Sequence, residues 1–138
     1  MTEFLGITDD PRHDVASAGT GLYEFWTADG VPVYLHDTTL ISLEWQPVRR
    51  RLGLRFVYDD PQWTPPEVAR TPVVLMDFEG VVLLEWSQDN EGHEDAPDEV
   101  AGQVADFSYD GRDGFELVTA QSVVGFTASR LTVALKSA

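Results

Sequence analysis

The sequence predicts an all-β protein, an antiparallel β-sandwich or partly open barrel of about nine to ten short strands. Three observations lead there. Apolar residues recur at every second position in several segments, as in Leu52, Leu54, Phe56 and Tyr58. Turn residues separate these segments at short intervals. No segment carries an apolar stripe at helical spacing over three turns, so at most one or two short helical turns are expected.

The 138 residues fit one β domain over 21–138, preceded by an irregular arm over 1–20. The arm opens on Phe4 and Leu5, turns at Thr8-Asp9-Asp10-Pro11 and runs through small polar residues to Gly21. Leu22 to Thr27 and Val31 to Tyr34 flank Ala28-Asp29-Gly30, a hairpin turn in which Gly tolerates positive φ. Leu40 to Gln46 alternates, with Ile41, Leu43 and Trp45 on one face and Ser42 and Glu44 on the other. Pro47 and Arg49-Arg50-Arg51 make a polar turn into the strand ending at Tyr58.

Asp59 to Pro72 holds Pro61, Pro65, Pro66 and Pro72 and reads as a loop, with a helical turn over Pro66 to Arg70. Val73 to Phe78 and Val81 to Ser87 form a pair around Glu79-Gly80, apolar on both faces and hence central. Gln88 to Glu99 is a long acidic loop, followed by a short helical turn over Asp98 to Gln103. Val104–Tyr109, Phe115–Thr119, Ser122–Thr127 and Arg130–Lys136 complete the strands.

Composition narrows the function. The 24 Asp and Glu against 9 Lys and Arg leave a formal charge of -15. Phosphate affinity comes from Lys and Arg, so nucleic acid and anionic membranes are excluded as partners and a basic protein is favoured. The chain has no cysteine, which removes disulfides, thiolate metal sites and thiol nucleophiles and fits a reducing compartment. Its start lacks a basic region followed by an apolar one, and its longest apolar runs fall far short of the roughly 20 residues of a membrane span, so a cytoplasmic location is expected.

No motif of nucleophile, base and orienting group stands out, and no catalytic, cofactor or metal residue is assigned. His36 beside Asp37 could act as a general base oriented by a carboxylate. The simpler reading gives Asp37, Thr38 and Thr39 the task of satisfying backbone donors at a strand entry. Asp89, Glu91, His93, Glu94, Asp95, Asp98 and Glu99 crowd one loop, without the spacing of a Ca²⁺ loop. They suit a solvated acidic segment or a dock for Lys and Arg. Asp77 and Glu85 interrupt apolar runs and call for a partner such as Arg55 or Arg70. Phe25, Trp26, Trp45, Trp63 and Trp86 could line a ligand cavity, though aromatics more often fill a core. Trp63 lies in the proline-rich loop, as either a core anchor or an exposed interface residue. Arg49-Arg50-Arg51 suits a solvated hairpin end or a contact with an acidic edge in a dimer.

The run Leu35-His36-Asp37-Thr38-Thr39-Leu40-Ile41-Ser42-Leu43-Glu44-Trp45, followed by Leu52-Gly53-Leu54-Arg55-Phe56, resembles the opening of a family of small bacterial β proteins. These are the immunity proteins of polymorphic toxin systems, of the immunity protein fifty type. The likeness continues in outline through Val73 to Trp86 and Phe107 to Leu135. It implies an inhibitor that covers a toxin, and it assigns no residue a role. The arm and the acidic loop lie outside it.

Together these readings give a non-enzymatic acidic protein that binds a basic partner, such as a toxin. The expected contact residues are Trp63, Asp59, Asp60, Asp89, Glu91, Glu94 and Asp95. The alternatives are a small-ligand-binding β-barrel lined by Trp residues and Tyr58, an enzyme centred on His36 with Asp37 or Glu85, and a purely structural or interaction protein.

Overall fold

The alternation of Leu52, Leu54 and Phe56 with Gly53 and Arg55 becomes a strand whose buried residues lie on one face. The computed structural model describes residues 1–88 and 102–138. Among them run strands β1 (Glu3–Leu5), β2 (Glu24–Trp26), β3 (Pro32–Tyr34), β4 (Thr39–Gln46), β5 (Arg51–Val57), β6 (Val73–Glu79), β7 (Val82–Gln88), β8 (Val104–Tyr109), β9 (Gly114–Thr119), β10 (Ser122–Thr127) and β11 (Arg130–Lys136). Single 3-10 turns occupy Leu35–Asp37, Pro61–Trp63 and Pro66–Val68.

The strands form a five-stranded sheet in the order β1-β11-β6-β5-β4, a four-stranded sheet β7-β10-β9-β8, and the small pair β2-β3. None closes into a barrel, so the architecture is a β-sandwich. No helix among the described residues is long and apolar enough to cross a membrane.

The core lies between the two larger sheets. One supplies Leu52, Leu54, Phe56, Val74, Met76 and Phe78, and the other Phe107, Phe115, Leu117, Val124 and Phe126, all buried. Phe78 is the hub, with its ring edge-on to Phe126 at 4.8 Å and to Phe115 at 5.2 Å. Burying each such side chain contributes about 1.5–3 kcal/mol, and favourable ring geometry about 0.5–1.5 kcal/mol more per pair.

Several expectations change in detail. Residues 1–20 are not wholly irregular: Glu3–Leu5 pairs in parallel with β11, and Phe4 packs edge-on against Tyr109 at 5.2 Å. Apolar burial of Phe4 explains why this short segment docks. Ile41 does not face the core, because the β4–β5 register shifts between Leu40 and Ser42. This β-bulge gives the inward position to Leu40 and leaves Ile41 53% exposed.

β6 is central, but β7 is not its sheet neighbour. The chain turns at Gly80, whose φ is 63°, and enters the opposite sheet as an edge strand. A Cβ at Gly80 would run into Ser129 Oγ, so the corner needs glycine on both counts. Val82, Leu84 and Trp86 are consequently exposed on that edge, not buried as a central strand would be. Asp77 pairs with Arg51 across the sheet, not with Arg55 or Arg70, and Glu85 is exposed. The helical turn expected over 98–103 lies mostly outside the described residues. Within them, Gly102 O accepts from Leu40 N–H at 2.9 Å, and Gln103 bridges Thr39. That bridge ties the start of β4 to the start of β8.

Candidate functional site

Where β4 begins, three segments converge on one open cleft of about 560 Å³. Its lining comes from the turn Leu35–Asp37, the following Thr38 and Thr39, the proline loop at Asp59, Asp60 and Trp63, and Gln103.

The first wall is fixed from behind. Leu35 is fully buried, and its carbonyl accepts from both the backbone N–H and the hydroxyl of Thr38, at 3.0 and 2.8 Å. Its own N–H donates to Tyr23 O at 3.0 Å. With Leu35 anchored, His36 and Asp37 sit on the cleft side of the turn. The Tyr23 hydroxyl and His36 Nδ1 are hydrogen-bonded at 2.8 Å. Partial burial pushes the Tyr23 phenol pKa upward, helped by the nearby Asp106, Glu24 and Asp37 carboxylates.

The second wall follows from the end of β5. Tyr58 is buried, and its hydroxyl accepts the Tyr34 N–H at 2.8 Å. Burial raises its pKa to about 12. Beyond this anchor Asp60 Oδ1 accepts Gln62 N–H at 2.9 Å and caps the turn Pro61–Trp63. Pro61 presets the backbone angle of that turn. Asp60 O accepts the Trp63 N–H at 3.0 Å and the Thr64 hydroxyl at 2.7 Å. Trp63 is thereby held at the cleft with 56% of its surface exposed.

Three carboxylates (Asp37, Asp59, Asp60) and an exposed indole line this recess, groups with which a cation can interact. A guanidinium over an indole face gains about 0.5–2 kcal/mol, and its hydrogen bonds to carboxylates are charge-assisted. The arrangement suits chemistry less well. The Thr38 hydroxyl is engaged by Leu35 O, and the Thr39 hydroxyl donates to Asp59 Oδ2. The hydrogen bond to the His36 ring among the described residues comes from Tyr23 and not from a carboxylate. Glu85 lies on β7, outside the cleft lining. No three His, Cys, Asp or Glu side chains among the described residues are grouped to hold a metal ion.

Of the residues singled out in the sequence, the structure brings His36, Asp37, Asp59, Asp60 and Trp63 together. Asp89, Glu91, Glu94 and Asp95, with His93, lie outside the described residues. The aromatic set does not gather in one place: Phe25 and Trp26 line a common recess of about 210 Å³, and the other three lie elsewhere. Phe25 is in the core, Trp26 stacks on His13 at 3.8 Å, Trp45 packs against the core, and Trp86 is exposed on β7. The phenylalanines around Phe78 form the core between the two larger sheets, and no sheet closes into the barrel that the ligand-cavity reading expected. Sequence reasoning missed Tyr23 and Gln103. Tyr23 carries no local signal because its partner is 13 residues away. Gln103 enters only through the Thr39 bridge.

No protein-family model matches the chain, and neither a curated protein nor a solved structure was found to match it.

Proposed function

We propose that the protein is a non-enzymatic binding protein that acts in the cytoplasm as an immunity-type inhibitor, covering the basic surface of a toxin. The observation that carries this reading is the convergence of Asp37, Asp59, Asp60 and the exposed Trp63 on one open cleft. A cationic side chain of the partner enters there, stacks on the indole and meets the carboxylates. The charge of -15 acts at longer range, drawing a basic partner in and raising its association rate. A nuclease toxin fits, because a site that binds phosphate must itself be cationic. The likeness of Leu35 to Trp45 and Leu52 to Phe56 to immunity proteins supports the same reading.

The test is protection. Cells producing a toxin encoded beside this gene are expected to survive when the native chain is co-produced. They should lose that protection with Trp63→Ala or with Asp59→Lys and Asp60→Lys together. Survival unaffected by these changes, in chains that remain folded, would remove the cleft from the account.

A further inference from the structure

The acidic cleft is the middle one of three adjoining recesses. Asp59 also lines a recess of about 280 Å³, together with Pro61, Ala69 and Pro72. His36 and Gln103 also line a recess of about 300 Å³, together with Val104, Ala105 and Ala120. These two outer recesses have no lining residue in common, so the cleft is what joins them.

Charge is distributed unevenly along the three. Asp37, Asp59 and Asp60 stand in the cleft, and the outer recesses add no carboxylate, lysine or arginine to what they share with it. All 9 Lys and Arg of the chain lie among the described residues. Their ion pairs run to Asp10, Asp77, Glu3 and Glu79, and none comes within 4.0 Å of the three cleft carboxylates. No lysine or arginine of the chain itself pairs with them, so the cleft favours a cation carried by another molecule. A bare metal ion fits poorly, because no three acids or histidines among the described residues are grouped to hold one. A polyamine needs carboxylates spaced along its length, and the outer recesses offer it alanine, proline and valine. An organic cation with an apolar group on either side matches all three recesses.

We propose that the three recesses together receive one extended segment of a protein partner, with Arg or Lys at its centre and an apolar residue two positions away on each side. In an extended chain, side chains two positions apart point the same way, about 6.5 Å from each other. The central cation meets the carboxylates and Trp63 while its apolar neighbours enter the recesses at Ala69 and Ala120. The proposal rests on the reading of the cleft as the contact for a basic partner, and it adds the local sequence which that partner presents.

Calorimetric titration of the full chain with the peptide acetyl-Leu-Ser-Arg-Ser-Leu-amide tests it. Replacing the central Arg by citrulline, which keeps the shape and removes the charge, should weaken binding about tenfold or more. Replacing both Leu by Ser should weaken it about tenfold. In nitrogen–proton correlation spectra the Leu-flanked peptide should move the Ala69, Trp63 and Ala120 signals together. Ala69→Gln and Ala120→Gln, at exposed positions, should each weaken that peptide severalfold and leave the Ser-flanked peptide and the thermal melt unchanged. Equal affinity for the Leu-flanked and Ser-flanked peptides overturns the proposal. So does spermidine that binds as tightly as the peptide, or a peptide that fails to bind at near-millimolar concentration. Cells protected from the toxin by a chain that ignores the peptide would remove this inference and keep the immunity reading. Selective peptide binding by a chain that gives no protection would do the reverse.

Discussion

The Thr39 hydroxyl donates to Asp59 Oδ2 at 3.0 Å, and this bond joins the two walls of the acidic cleft. One wall belongs to the start of β4 and the other to the proline loop, 20 residues later. Thr39→Val keeps the shape and removes the bond. Because the bond is exposed, the stability cost should stay under about 1 kcal/mol. The loosened Asp59 should show instead in a faster dissociation of the partner, read by surface plasmon resonance beside a thermal melt.

Trp63 makes a sharper case. Its indole is more exposed than buried, so Trp63→Ala should change unfolding free energy by no more than about 0.5 kcal/mol. An indole at the centre of an interface is worth about 2 kcal/mol or more, a loss of roughly thirtyfold in affinity. Calorimetric titration of the partner and chemical denaturation should move independently.

Tyr58 supports the cleft from beneath. Tyr58→Phe leaves the half-buried Tyr34 N–H without its acceptor, which should cost about 1 kcal/mol in denaturant unfolding. The same phenol gives a pH dependence. Its folded pKa, raised by burial to about 12, lies above the ordinary 10.0. The resulting stability is therefore fully present below pH 10 and is lost as pH rises from 10 toward 12. Tyr58→Phe should flatten this part of the alkaline unfolding curve.

Asp110 governs the acid side. Its Oδ1 accepts the N–H groups of Gly114, Arg112 and Asp113 at 3.0, 2.8 and 3.1 Å in the turn between β8 and β9. These bonds, that of Gly114 foremost, hold its pKa below the usual 3.8. The sign is opposite to that of Tyr58: the stability is present above pH 3.8 and is lost as pH falls through the lower folded value. Asp110→Ala should cost about 1–2 kcal/mol at neutral pH and weaken the acid dependence, measured by urea titration at several pH values.

The sequence was most legible where one physical signal acted alone. The inward positions of β5 followed from strict alternation, and the strands from Val104 onward followed from turns at Asp110-Gly111, Asp113-Gly114 and Ala128-Ser129. It misled where a local irregularity shifted the register. The bulge at Ile41 leaves no trace in an alternating pattern, because the extra residue is itself apolar. The apolar run of β7 suggested a buried strand, yet the turn at Gly80 carries it to an exposed edge. Asp59, Asp60 and Trp63 were recognisable as candidates from their setting in a proline loop. That His36 and Asp37 face them across one cleft depends on the Thr39 contacts with Asp59 and Gln103, long-range pairings that composition and spacing do not encode.

The most direct test is stopped-flow measurement of association with the cognate basic partner at increasing salt. If negative charge guides the encounter and the Trp63 cleft receives a cation, the rate should fall about tenfold or more between low and high ionic strength. Trp63→Ala should then alter chiefly the dissociation rate. An association rate indifferent to salt would contradict the account.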